Sequence, residues 1–117
     1  MSIRLELPWP PSVNHYWRNV AGRTLISTEG RTYRTLVQLQ AMREGWKQPF
    51  PAEKRVTVHI NAVPPDKRRR DLDNMLKPML DALTHAGLWA DDSQIDELRI
   101  RRHAARPNEG LMIVEVF

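Results

Sequence analysis

The chain contains no cysteine, which excludes disulfide frameworks, thiolate zinc sites and cysteine nucleophiles. Its four histidines, His15, His59, His85 and His103, are scattered without the spacing of a histidine zinc site. Ser12, Ser27 and Ser93 lack a nucleophile-elbow context. No apolar run approaches the ~18 residues of a membrane span. The opening residues, Met1 to Leu7, alternate polar and apolar and lack the apolar core of a signal peptide, so a cytoplasmic location is expected. Internal repeats and low-complexity tracts are missing too. The 117 residues, 41% hydrophobic and 27% charged, are an ordinary globular mix and the length of one domain, 1–117. Lysine is also scarce, with 4 against 14 arginines. The net charge is +4 and the pI about 10.0, which favours a polyanionic partner. The arginine skew favours phosphate, because guanidinium is planar and bidentate.

Period-2 alternation predicts a strand over 2–7, with Ile3, Leu5 and Leu7 on one face. Pro8, Pro10 and Pro11 then impose an extended loop, expected to continue through Tyr16, Trp17, Arg18, Gly22 and Arg23. A helix is expected over 28–46, with Leu36, Leu39, Ala41, Met42 and Trp46 as its apolar positions. A second strand runs over 54–63 and stops at Pro64-Pro65. A second helix is expected from about Asp73 to Ala86, ended by Gly87. Two strands, 95–104 and 111–117, read as a hairpin through Arg106 to Gly110. The order β-loop-α-β-α-β-β implies an α+β fold: one mixed β-sheet with two main helices.

The densest chemistry lies in Arg68-Arg69-Arg70-Asp71-Leu72-Asp73-Asn74-Met75-Leu76-Lys77. Asp71 and Asp73 point the same way only if they precede the helix or sit at its first turn. With Asn74 as N-cap, Pro78 would fall at the last position without a hydrogen-bonding obligation. Lys77, four residues after Asp73, would share its side. Two close carboxylates repel unless a cation neutralises them, and a hard divalent ion such as Mg²⁺ suits them. Such an ion can activate water against a phosphodiester, while the arginines hold flanking phosphates. Asp91-Asp92 is a second acidic pair, and one member could return to the same site. Each feature has a plain alternative: Asp-x-Asp as a cap, the arginine run as a solvated face, Asp91-Asp92 as a turn. In the N-terminal loop, Asn14, Tyr16, Trp17, Arg18 and Arg23 interleave aromatics with donors, which suits unstacked bases and phosphates. Trp9 is read as a packing residue.

Four segments carry a resemblance: Leu7-Pro8-Trp9-Pro10-Pro11-Ser12-Val13-Asn14; Arg68 to Asn74 with Lys77; Asp81-Ala82-Leu83; and Gly87-Leu88-Trp89-Ala90-Asp91-Asp92. Together they closely resemble the RusA family of Holliday junction resolvases, small bacterial and prophage crossover junction endodeoxyribonucleases. The resemblance implies a homodimeric, Mg²⁺-dependent α+β enzyme that cuts two opposed strands of four-way branched DNA. By matching position it implies Asp71, Asp73 and Asp92 as catalytic and metal-holding acids, Asp91 as their less secure neighbour, Lys77 as the essential lysine and Arg70 as a basic residue beside the first acid. Pro78, directly after the lysine, departs from the family pattern. A two-fold dimer would present two acidic clusters to a junction that can itself be two-fold symmetric. Arg18, Arg23, Arg68, Arg69 and Arg70, with Lys67, are the expected groove lining. No organic cofactor and no membrane partner are expected. Competing readings are a broader structure-selective nuclease acting on flaps or forks, and a non-enzymatic basic nucleic-acid-binding module.

Overall fold

A computed structural model describes residues 2–45 and 50–117; Trp46, counted above among the helix positions, lies outside them. Strand β1, Ile3–Pro8, buries Ile3, Leu5 and Leu7 and exposes Arg4 and Glu6, as its alternation requires. The segment expected to be loop instead folds locally. Helix α1 is a single turn, Val13–Tyr16. It leads into an antiparallel hairpin of β2, Trp17–Val20, and β3, Arg23–Ile26. The two turn residues, Ala21 and Gly22, both have positive φ, 49° and 76°. That is the backbone of a type I′ turn, whose twist matches the paired strands.

Helix α2, Thr28–Arg43, starts at Ser27, whose hydroxyl accepts the Gly30 amide at 2.9 Å and donates to the Tyr16 carbonyl at 2.9 Å. Gly30 is needed there: a Cβ would stand 2.4 Å from that same carbonyl oxygen. The helix faces the core with Gly30, Tyr33, Val37 and Ala41. The expected stripe is therefore only partly right. Ala41 is buried, but Leu36, Leu39 and Met42 are 45%, 50% and 64% exposed. The face is decided by Gly30 and Tyr33, which seat the helix against α1 and β1.

Strand β4, Val56–Val63, buries Val56, Val58, Ile60 and Ala62. Helix α3 spans Leu72–His85. A short 3₁₀ turn at Asp92–Gln94 leads to β5, Ile95–Arg102, and β6 is Leu111–Val116. The four-stranded sheet has the order β1-β6-β4-β5. β6 is antiparallel to both β1 and β4, and β5 is parallel to β4. The sheet is thus mixed, as expected, but β5 and β6 do not form a hairpin. β4 lies between them, because the α3 crossover returns the chain parallel to β4. Leu5, Val58, Ile60, Met112 and Val114 from the sheet share one core with Tyr33 and Val37 of α2 and Met75, Met79 and Leu83 of α3. No helix among the described residues is long and apolar enough to cross a membrane.

Helix α3 begins earlier than its proline suggested. Its N-cap is Asp71, not Asn74. Pro78 is consequently an interior, buried residue, and the Asn74 carbonyl four residues back has no amide to accept. The other end behaves as expected. Gly87 has φ 85°, its amide donates to the Thr84 carbonyl at 3.0 Å, and the Leu88 amide reaches the Leu83 carbonyl at 3.2 Å. This pair of bonds closes a Schellman motif.

Candidate nucleic-acid cleavage site

The start of α3 holds most of the residues singled out above. Asp71 and Asp73 are both exposed, and the Asp71 carboxylate accepts no hydrogen bond from the first turn it precedes. The capping explanation for Asp-x-Asp therefore does not account for these side chains. The other aspartates outside the second acidic pair are engaged: Asp66 pairs with Arg70, Asp81 with Arg34 and Asp96 with Arg55. Asp71, Asp73 and Asp92 have no such partner among the described residues.

The second acidic pair divides. Asp91 caps the 3₁₀ turn, its carboxylate accepting the Ser93 amide at 3.1 Å; the Ser93 side chain first, and then that amide, hold its pKa below the usual carboxylate value. Asp92 is exposed and uncommitted. The turn is pinned by Gln94, a residue not singled out from sequence. Gln94 is 3% exposed. Its Oε1 accepts the Ala90 and Asp91 amides at 2.9 and 3.0 Å, and its Nε2 donates to the Pro51 and Lys54 carbonyls at 2.8 and 3.0 Å. All four of its hydrogen-bonding positions are used. Trp89, buried beside it, donates its indole N–H to Thr84 Oγ1 at 2.7 Å. This ties the acidic corner to the end of α3.

Lys77 extends from α3 over the Trp17 ring, with Nζ 5.3 Å from the ring centroid. Lys77, Trp17, Val13, Asn14, Arg18, Asn19 and Thr24 line one groove of about 660 Å³. Helix α1 and the hairpin thus bring Asn14 and Arg18 to the lysine, which the sequence could not show. A smaller depression of about 160 Å³ joins Trp9, Pro10 and Ser12 to Arg69, Arg70, Asp71 and Asn74.

The other expected contacts separate into surface and framework. Arg23, Arg68 and Arg69 are exposed, and Arg68 Nε lies 3.2 Å from Asp66 Oδ2. Arg70 is largely internal: Nη1 sits 2.7 Å from Asp66 Oδ1, and its guanidinium lies 5.6 Å over the Trp9 ring. The Arg70 contact holds the Asp66 carboxyl well below the usual carboxylate range. Trp9 itself packs against the core. Tyr16 must be corrected. It is fully buried, and its hydroxyl is bound to Asp81, which also takes Arg34 Nε and Nη2 at 3.0 and 2.8 Å. Burial, then the Asp81 contact, push its hydroxyl far above the usual phenol value. Its ring is closed to a base.

Three uncommitted carboxylates fit a hard divalent ion in kind. They do not gather as a set: among the described residues, no three His, Cys, Asp or Glu side chains stand close enough to share a metal ion.

A small mixed-sheet domain with free acids at a helix start, a lysine one turn along the same helix and a groove lined by Arg18 suits chemistry on a phosphodiester. The family model for endodeoxyribonuclease RusA matches residues 8–114, so the chain belongs to the RusA family. Relatives include the crossover junction endodeoxyribonuclease RusA of Shigella sonnei, 46% identical over 82% of this chain and 78% of the relative. That of Enterobacteria phage HK97 is 43% identical over 94% and 92%, and that of Enterobacteria phage 82 is 45% identical over 85% and 81%.

Proposed function

We infer that this chain is a crossover junction endodeoxyribonuclease that resolves four-way DNA by cutting its phosphodiester backbone. The observation that carries this is the exposed, unpartnered pair Asp71 and Asp73 at the start of α3, with Lys77 one turn beyond Asp73 on the same helix, in a chain of this family. Asp71, Asp73 and Asp92 are the Mg²⁺ ligands that the family resemblance implies, although in this structure they do not stand together as one set. When bound, the ion supplies an acidified water and stabilises charge developing on the phosphate.

The chain's own groups do the rest. Lys77, on the wall of the groove, places a positive charge where a scissile phosphate would lie. Arg18, Arg23, Arg68 and Arg69 hold flanking phosphates. Arg70 acts indirectly, by fixing the loop that carries Arg68 and Arg69. Each chain offers one such site, so paired cuts require a homodimer, two-fold symmetric like its substrate.

The test is cleavage of a synthetic four-way junction with and without Mg²⁺, beside the Asp71→Asn variant. Metal-dependent paired nicks, lost in the variant while binding persists, are expected. Equal nicking of junction, fork and linear duplex would replace the junction assignment with a broader nuclease. Binding with no metal-dependent scission would leave a binding module.

A further inference from the structure

We propose that the groove between the β2–β3 hairpin and α3 is a subsite for one unstacked nucleobase next to the cut phosphate. This deepens the nuclease reading and rests on it. The groove's volume of about 660 Å³ is ample for one nucleotide. Its lining is not merely cationic. Trp17 contributes an aromatic wall, half-buried and braced edge-on by the Tyr16 ring at 4.4 Å; Lys77 Nζ lies over it at 5.3 Å, and a stacked base would take the place of that flexible side chain. Asn14 and Asn19 contribute carboxamides, and Thr24 a hydroxyl. Phosphate alone has no use for an aromatic wall and acceptor-bearing amides. A base has both a π-face to stack and an edge that exchanges hydrogen bonds.

The polar groups are also disposed for an edge. Thr24 donates its hydroxyl to Asn19 Oδ1 at 3.1 Å across the hairpin, which fixes the Asn19 carboxamide and leaves its NH₂ as a donor. Arg18 and Lys77 stand on the same lining, so a nucleotide whose base enters the groove keeps its phosphate near both cations. A branch point is where such a base is available at least cost, because stacking is already interrupted there. The hairpin is rigid where it must be, through its tight turn and through Ser27, which bonds the Tyr16 carbonyl at its base.

The experiment pairs Trp17→Ala with junctions carrying an abasic site at each position flanking the cut in turn, and measures binding and cleavage of all combinations. On intact junctions, Trp17→Ala should weaken binding on the order of tenfold. At one position the abasic site should cost the wild type as much, and the two changes together no more than either alone. Trp17→Phe, which keeps a ring, should restore most of the loss and reports on folding. Asn19→Ala, on the exposed hairpin, should alter the ratio of cutting rates among junctions of different sequence. If Trp17→Ala costs the same on intact and abasic junctions at every position, the subsite is refuted while the nuclease reading stands. A wild-type chain that neither binds nor cuts any junction overturns both.

Discussion

Arg34 grips Asp81 through two guanidinium nitrogens, at 3.0 and 2.8 Å, on the same Oδ2 that takes the Tyr16 hydroxyl. One oxygen thereby joins α1, α2 and α3. The second tyrosine, Tyr33, is also buried and donates to the Pro8 carbonyl at 2.8 Å. Burial raises its hydroxyl as well.

These are the chain's only two tyrosines, so alkaline behaviour becomes a direct test. Both folded-state values lie above the unfolded value of about 10. Their contribution is complete below that pH and is lost as pH climbs toward the folded values. Phenolate absorbance should therefore stay absent as a free tyrosine would titrate, then rise together with loss of far-UV ellipticity. A titration near pH 10 in the intact fold would contradict the burial of both rings. Asp81→Asn should cost about 1–2 kcal/mol, discounted for partial exposure, read by denaturant unfolding.

Asp71→Asn, Asp73→Asn and Asp92→Asn should each slow junction cleavage by about a hundredfold or more with binding and melting temperature nearly unchanged, since none of these carboxylates supports the fold. Asp91→Ala should do the reverse: loss of the cap on the 3₁₀ turn lowers the melting temperature, with a smaller effect on cutting. Single-turnover rates beside thermal melts separate the two patterns.

Arginines divide in the same way. Arg18→Ala and Arg69→Ala should each weaken DNA binding uniformly across sequences and lower the slope of log affinity against log salt by about 1. Arg70→Ala should instead destabilise the fold, since it removes the shorter of the two ion pairs of Asp66 and uncovers Trp9. An Arg70→Ala protein with wild-type stability would move Arg70 back to the DNA-facing set.

Pro78→Ala offers α3 an amide for the Asn74 carbonyl. An interior proline costs about 3 kcal/mol, against roughly 0.8 for each buried methylene lost. A net gain of about 1 kcal/mol is expected, measured by denaturant midpoint. Cleavage by the same variant reports on Lys77, the preceding residue, whose aim depends on this turn.

What the sequence made legible follows from what each signal measures. β1, β4 and β6 alternate because one face is buried, and Gly87 ends α3 because a left-handed residue is required there. β2 and β3 carry no such pattern, since Arg18, Asn19, Val20, Arg23, Thr24 and Leu25 are all exposed. Only Gly22 hinted at their turn. The core face of α2 was misjudged because Leu36, Leu39 and Met42 are more hydrophobic than the Gly30 and Tyr33 that pack. Proline chemistry placed the cap of α3 at Asn74, but Met75, Met79 and Leu83 decided its seat, and the tertiary core outweighed one lost hydrogen bond. Asp71, Asp73 and Lys77 stood out because their spacing is local. That Asn14 and Trp17 approach Lys77, and that Gln94 anchors the second acidic pair, depends on contacts distant along the chain.

Strand β6 is inserted between β1 and β4. Until Leu111–Val116 has emerged during synthesis, neither neighbour can complete its ladder and the floor beneath α3 stays open. The helix that carries Asp71, Asp73 and Lys77 therefore rests on a sheet whose interior is filled by a strand far from it along the chain.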